Sequence, residues 1–386
     1  MKKIPVYAWY FPNWHPGDPL NEQWHGKGWS EWRCVQYAAQ RFEGHTIYHP
    51  LWGYEDESDP KVMGKKIDTA LEYGVDGFMW DFYWFESTGG YRLKALDAFC
   101  EAMKTRKNFK MALMWCNHDP MYVHPASYLN RGRELLSGDL SAEGFAKGAD
   151  YIIEKCMTQD WYMTVQHEGK EKLYFVIWAL KKLADGLGGV ENARRVLDAF
   201  RDKVRKVCGK ELYLATYPTS LPGYGNGKPE EITEYLKAFG IDGCITYGWP
   251  VRPDEGDEWP VVQYSRFVDN GIETFEKYTK NVNLPVNITV EQGWDSSPRT
   301  VPSDMHEQHL GFPYNWITDH KNPADFKRGL AAAKEFFRSD ASTGDFITLS
   351  TWNEWTEGNF MEPSVEQGYA YLEAVRDVFG TQEKPL

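Results

Sequence analysis

The sequence predicts an α/β fold, a single (β/α)8 TIM barrel with long loops after its strands. Three observations predict it. Eight short apolar runs rich in β-branched and aromatic residues alternate with amphipathic helical stretches. The length of 386 residues suits one large barrel. The runs end in polar and aromatic residues, with no GxGxxG or GxxxxGK[ST] loop after any of them, which leaves an open nucleotide-binding sheet unsupported.

Taken in order, the expected strands are Ile4–Tyr10, Asp76–Phe82, Lys110–Cys116, Leu173–Trp178, Glu211–Thr216, Asp242–Tyr247, Pro285–Val290 and Phe346–Trp352. The expected helices between them are Pro60–Tyr73, Arg92–Thr105, Ala142–Met157, Glu191–Val207, Pro229–Phe239, Trp259–Thr279 and Pro323–Phe337, with Val365–Phe379 closing the series. Asp59-Pro60, Ser141 and Asn322-Pro323 supply capping side chains or a first-turn proline at helix starts. Tyr73-Gly74 and Phe239-Gly240 mark helix ends, each followed by a strand that opens on Asp-Gly. Repeats, low-complexity stretches and linkers are absent from the sequence, so one domain spanning residues 1–386 is expected.

Composition narrows the partners. A hydrophobic content of 42% supports a large core, and of the 17 Trp and 23 Tyr some must be core, while so many Trp beside polar residues also fit a carbohydrate-binding surface. The net charge of −13, without a basic stripe, argues against nucleic acid, whose phosphates need a positive footprint. No run approaches the ~18 apolar residues of a membrane span. Met1-Lys2-Lys3 imitates the start of a signal peptide, but Ile4–Tyr10 is short, aromatic and lacks a small-residue cleavage site. As written the chain is expected to be cytoplasmic; removal of an upstream leader would make it periplasmic or secreted. The six cysteines, without any CxxC, read as free buried thiols.

The chemistry is concentrated after the last strand. Thr351-Trp352-Asn353-Glu354-Trp355-Thr356-Glu357-Gly358 presents two carboxylates three residues apart, interleaved with indoles. Paired carboxylates suit sugar-acetal hydrolysis, and flat rings stack on sugar C–H faces. In a barrel every strand's C-terminal end opens on one face. The expected substrate contacts are therefore Tyr10, His15, Glu31 and Trp32 after strand one, Asp81, Tyr83 and Trp84 after strand two, and Trp115, Asn117 and His118 after strand three. Tyr217, Tyr247 and Trp249 follow from strands five and six, Glu291 and Trp294 from strand seven, and Trp352, Asn353 and Trp355 from strand eight. Asp81 reads equally well as a turn cap, and Trp80 and Trp178 read as core. His118-Asp119 with His124 matches no standard ligand spacing, so no metal and no cofactor is expected.

These residues carry a resemblance. Trp352-Asn353-Glu354-Trp355-Thr356-Glu357-Gly358 with Glu362-Pro363 resembles the signature of glycoside hydrolase family 99 and its WbsX-like relatives. Trp9-Tyr10-Phe11-Pro12 with His15, and Gly26-Lys27-Gly28-Trp29-Ser30-Glu31-Trp32, resemble the WbsX-like opening. Tyr73-Gly74-Val75-Asp76-Gly77-Phe78 and Tyr83-Trp84-Phe85 match a third shared block. The resemblance implies a (β/α)8 barrel and a carbohydrate substrate, with Glu354 and Glu357 as the catalytic pair. It implies retaining hydrolysis of α-mannoside- or α-L-rhamnoside-like linkages through a 1,2-anhydro sugar. A glycosyltransferase of surface-polysaccharide assembly and a non-catalytic glycan-binding barrel are the alternatives. The chain departs from the pattern at Asp81-Phe82, where Tyr-His is usual, and at His118, which replaces a Glu.

Overall fold

The computed structural model describes residues 3–221 and 228–380; Met1 and Lys2, on which the leader reading rests, lie outside them. Eight parallel strands form the barrel: β1 (Val6–Tyr10), β2 (Gly77–Phe85), β3 (Lys110–Trp115), β4 (Lys170–Ile177), β5 (Glu211–Thr216), β6 (Gly243–Ile245), β7 (Val286–Asn287 continued by Thr289–Glu291) and β8 (Ile347–Ser350). Each pairs with the next, from β1–β2 through β5–β6. Closure is made by β7, which is interrupted at Ile288. Its first part pairs with β6, as Val286↔Cys244, and its second part with β8, as Val290↔Leu349. Pairing of β8 with β1 completes the ring, so no barrel strand is left as an edge.

Nine helices longer than one or two turns surround the barrel among the described residues: α1 (Pro60–Glu72), α2 (Leu93–Met103), α3 (Ala142–Ile152), α4 (Leu180–Leu187), α5 (Val190–Cys208), α6 (Pro229–Phe239), α7 (Tyr264–Lys280), α8 (Pro323–Phe337) and α9 (Ala370–Phe379). The expected caps form: Asp59 accepts from the Lys61 N–H, Ser141 from Gly144 and Asn322 from Asp325. Gly240 ends α6 in the left-handed region at φ 79°.

Four departures from the expected elements have local causes. α4 is not among the expected helices; it lies between β4 and α5 and ends at Gly188 in the left-handed region. α7 starts at Tyr264 rather than Trp259, since Val261–Gln263 instead forms a two-strand ribbon with Ile317–Asp319 outside the barrel. α9 starts at Ala370 rather than Val365, and β6 is shorter than Asp242–Tyr247.

Strand alternation separates two apolar layers. Phe78, Trp80 and Phe82 of β2 face the helices, whereas Met79, Asp81 and Tyr83 face the barrel axis. Tyr7, Trp9, Met114, Tyr174, Val176 and Tyr213 fill the axis below the site. All six cysteines are free, four of them buried. The wall is tight where β2 starts beside β3: a Cβ on Gly77 would stand 2.1 Å from the Lys110 carbonyl oxygen. Gly77→Ala is therefore expected to cost roughly 1–3 kcal/mol through forced backbone movement, seen as a lower denaturation midpoint at an unchanged slope.

Candidate active site

The turn after β8 is built to present two carboxylates. Thr351 Oγ1 accepts the Glu354 N–H at 2.9 Å and donates to the Asn359 carbonyl at 2.6 Å. Asn353–Glu354 then pairs antiparallel with Asn359–Phe360, leaving Trp355–Glu357 as a single 3-10 turn closed by Gly358 at φ 59°. Glycine is required there twice over, by that φ and because a Cβ would meet the Asp295 Cβ at 2.6 Å. Lys321 Nζ donates to the Gly358 carbonyl at 2.5 Å. The amide of Asn353 clips the turn to both backbone groups of Phe11, at 2.8 and 2.9 Å.

Arg299, from the long loop after β7, joins the two glutamates. Its Nη1 donates to Glu357 at 2.8 Å and its Nη2 to Glu354 at 3.0 Å, while Nε is held by Thr356 at 2.9 Å. A planar guanidinium that forks between two carboxylates fixes them side by side. Glu31 lies behind them, fully buried. It contacts Arg299 at 3.5 Å and His124 at 3.2 Å, and accepts from Asn13 at 2.6 Å and from the Thr356 hydroxyl.

Electrostatics divides these carboxylates. Burial raises Glu31, but His124 and Arg299 overcome it and hold Glu31 well below the usual range, so it is ionised. Burial, then mutual repulsion, pushes Glu354 well above the ordinary value despite Arg299. Glu357 is also raised, by burial against the pull of Arg299. Two buried carboxylates beside one cation and an ionised Glu31 titrate together as a pair, both displaced toward the protonated form. Burial likewise raises Asp81 and Glu291 and lowers His118 and His124.

Both glutamates open on a cavity of about 620 Å³ at the C-terminal mouth of the barrel, a size suited to a few sugar units. Of the expected contacts, Asp81, Tyr83, His118, Tyr217, Tyr247, Trp249, Glu291 and Trp294 line it. Trp249 does so mainly as packing, with its indole N–H on the Thr289 carbonyl at 2.8 Å and its ring against Phe267 and Phe275. A larger depression, about 860 Å³, lies outside the barrel by Lys110 and Trp161 and contains none of the strand-end residues.

Other expected contacts lie away from the cavity, four of them because of strand phase. Tyr10 faces the helices, stacked on Trp80 at 4.3 Å. Trp84 packs on Tyr151, Trp115 on Phe145 and Trp352 on Phe78, all in the outer layer. Trp32 packs on Trp14, and Trp355 stacks on Phe360 at 3.8 Å. His15 is fully buried beside Pro16, and Glu31 sits one layer behind the cavity. Asn117 ties β3 to the start of α4 through both backbone groups of Ala179, and Asn353 is the clip described above. Trp178, read as core, instead lines the cavity, stacked on Tyr217 at 4.6 Å and edge-on to Tyr247. The period of two, carried one step past β4, places Trp178 inside with Tyr174 and Val176. Arg299 and Arg92 were missed and His124 was weighed only as a metal ligand; no local sequence signal marks a loop arginine as facing a distant turn.

The sequence model of a family described as glycosyltransferase WbsX matches residues 6–375. The uncharacterized protein WxcX of Xanthomonas campestris pv. campestris (strain B100) is 25% identical over 382 residues, covering 96% of this chain and 49% of that protein. The chain thus spans about half the length of the curated relatives it matches. The GH99 endo-alpha-mannosidase from Bacteroides thetaiotaomicron superposes with a TM-score of 0.56 at 14% identity, over 97% of this chain and 96% of that one. A glycoside hydrolase-like protein superposes with a TM-score of 0.61 at 15% identity, over 99% and 95%. At these identities the structural likeness is one of fold. The chain belongs to the family described as glycosyltransferase WbsX, on a (β/α)8 barrel of the kind found in the family 99 glycoside hydrolase.

Proposed function

We propose that the protein is a retaining glycoside hydrolase acting on a polysaccharide or oligosaccharide with α-mannoside- or α-L-rhamnoside-like linkages. The observation that carries this reading is the pair Glu354 and Glu357, forked by Arg299 at a cavity edged with aromatic rings. Acetal cleavage needs one carboxyl that gives a proton and one that takes one, and a coupled pair displaced toward the protonated form can divide those roles.

In the proposed route Glu354 takes the proton from the sugar's own 2-hydroxyl as O2 attacks C1. The C1–oxygen bond to the leaving group breaks, and Glu357 protonates that oxygen. Water then adds to C1 of the 1,2-anhydro sugar, giving its proton to Glu357, while Glu354 returns the first proton to O2. In the free protein burial raises both carboxyls. The route has the acid proton on Glu357 once the 2-hydroxyl sits on Glu354. Tyr247 and Trp178 offer stacking faces, and Asp81 and Glu291 offer hydrogen bonds to hydroxyls.

The family's description supplies the second reading, in which a sugar hydroxyl rather than water accepts the glycosyl unit. A panel of α-mannans and rhamnose-containing polysaccharides, with products identified by mass and anomeric configuration by NMR, tests both. Shortened products with retained configuration are expected. Products that grow by one sugar would favour the transferase, and absence of turnover across the panel would remove the proposed linkages.

A further inference from the structure

Arg92 is a buried cation at the cavity wall that no described carboxylate meets at ion-pair distance, although Glu31 attracts it and Tyr91 hydrogen-bonds it. Its residue is 6% exposed, yet it lines the same cavity as Glu354 and Glu357. Its guanidinium carbon lies 4.4, 4.6 and 4.5 Å from the ring centres of Phe11, Tyr83 and Tyr91. Its Nε has no hydrogen-bond partner among the described residues. Arg299, by contrast, touches three carboxylates. No described carboxylate forms an ion pair with Arg92. Glu31 is already engaged by Arg299, His124 and Asn13. Asp81 shares the wall, but burial drives its carboxyl toward the protonated form.

The backbone is arranged to hold this side chain in place. Arg92 has φ 62° and ψ 29°, the left-handed region that is costly for a side chain of this size. Its N–H is fixed by the Asp18 carboxylate at 2.9 Å. Burying an unpaired charge is expensive, and three ring faces recover only part of that cost. A planar guanidinium fixed at a cavity wall is a ready receptor for a flat or tetrahedral anion through charge-assisted hydrogen bonds.

We propose that the glycan recognised in this cavity carries an anionic substituent, a carboxylate or a sulfate ester, which pairs with Arg92. The inference rests on the cavity being a glycan site and adds the substrate's charge class. Arg92, Tyr83 and Glu354 line one cavity, with Arg92 against the Tyr83 ring, so the anion belongs to the sugar at the scissile bond or to one near it.

The test uses the full chain with Glu357→Gln, so that ligands survive titration calorimetry. The probes are glucuronate-containing tetrasaccharides, the same compounds after carboxyl reduction, and sulfated counterparts of the reduced set. At least one anionic set is expected to bind roughly tenfold or more tightly than the neutral set, and which set does so tells carboxylate from sulfate. Arg92→Gln should abolish that preference, and Arg92→Lys should keep part of it, because the charge remains while the fork is lost. Equal affinity for neutral and anionic probes, or a preference that Arg92→Gln leaves intact, overturns the inference. If Arg92→Gln does not fold, the comparison of probes on Arg92 protein decides alone. Turnover by the unsubstituted protein separates the two readings. Arg92-dependent binding without hydrolysis removes only the hydrolase proposal, and hydrolysis indifferent to anions removes only this one.

Discussion

Glu354→Gln and Glu357→Gln are each expected to lower kcat by roughly 100- to 10,000-fold with the fold intact. The fold survives because each glutamine keeps an oxygen for Arg299, which holds both side chains at 2.8 and 3.0 Å. The two variants should differ in a way that assigns their roles. An aryl glycoside with an acidic leaving group needs no protonation, so it should restore turnover to the variant lacking the general acid and not to the other. Rescue of Glu357→Gln alone fits the proposed route; rescue of Glu354→Gln alone would exchange the roles. A 2-deoxy substrate should bind without reacting, since O2 is the attacking atom. A glycosyl ester trapped on either glutamate by a 2-fluoro sugar would sink the anhydro-sugar step. Because the pair's carboxyls are raised by burial, activity should persist above the ordinary carboxylate range and fall as pH rises through the raised value, where the acid proton is lost.

Lys66→Met is expected to destabilise the protein by roughly 3–5 kcal/mol, the cost of breaking a buried ion pair from one side. Lys66 sits in the apolar stripe of α1 at 1% exposure, 2.5 Å from Glu57 and 2.6 Å from Glu362. Glu57 also accepts from Tyr10 at 2.6 Å and Asn353 at 2.9 Å, and Glu362 accepts from the Trp355 indole at 2.8 Å. Without the ammonium, two carboxylates stay buried behind the turn that carries Glu354. Burial already raises Glu362 with Lys66 present, and a raised carboxyl gives stability at low pH that is lost as pH rises through its folded value. The variant's deficit, read from denaturation midpoints, should therefore be largest near neutrality and shrink as pH falls. A variant as stable as its parent at pH 7 would show that the network adds nothing. Asn353 and Trp355 flank Glu354, so activity should decline along with stability.

Much of this molecule was legible in the chain because short-range physics decided it. The eight apolar runs, the caps at Asp59, Ser141 and Asn322, and the Gly240 stop all report local backbone preference. The pair Glu354 and Glu357 stood out because a strand followed by closely spaced carboxylates is a contiguous signal. Which strand-end residue faces the cavity was also encoded, in the period of two, but sequence proximity to a strand end overrode phase. That exchanged Trp84 and Trp115 for Trp178.

What only the tertiary structure decided are the contacts between distant segments. Arg299 reaches Glu354 and Glu357 from 55 and 58 residues away, and Glu31 from 268. Lys66 draws together Glu57 and Glu362. Arg92 stands at the wall with no carboxylate at ion-pair distance among the described residues. A charged residue in a loop or on a helix has no local preference that reveals its partner. Its energy is set by burial and by which charges barrel closure brings within a few ångströms, and neither exists until the chain has folded.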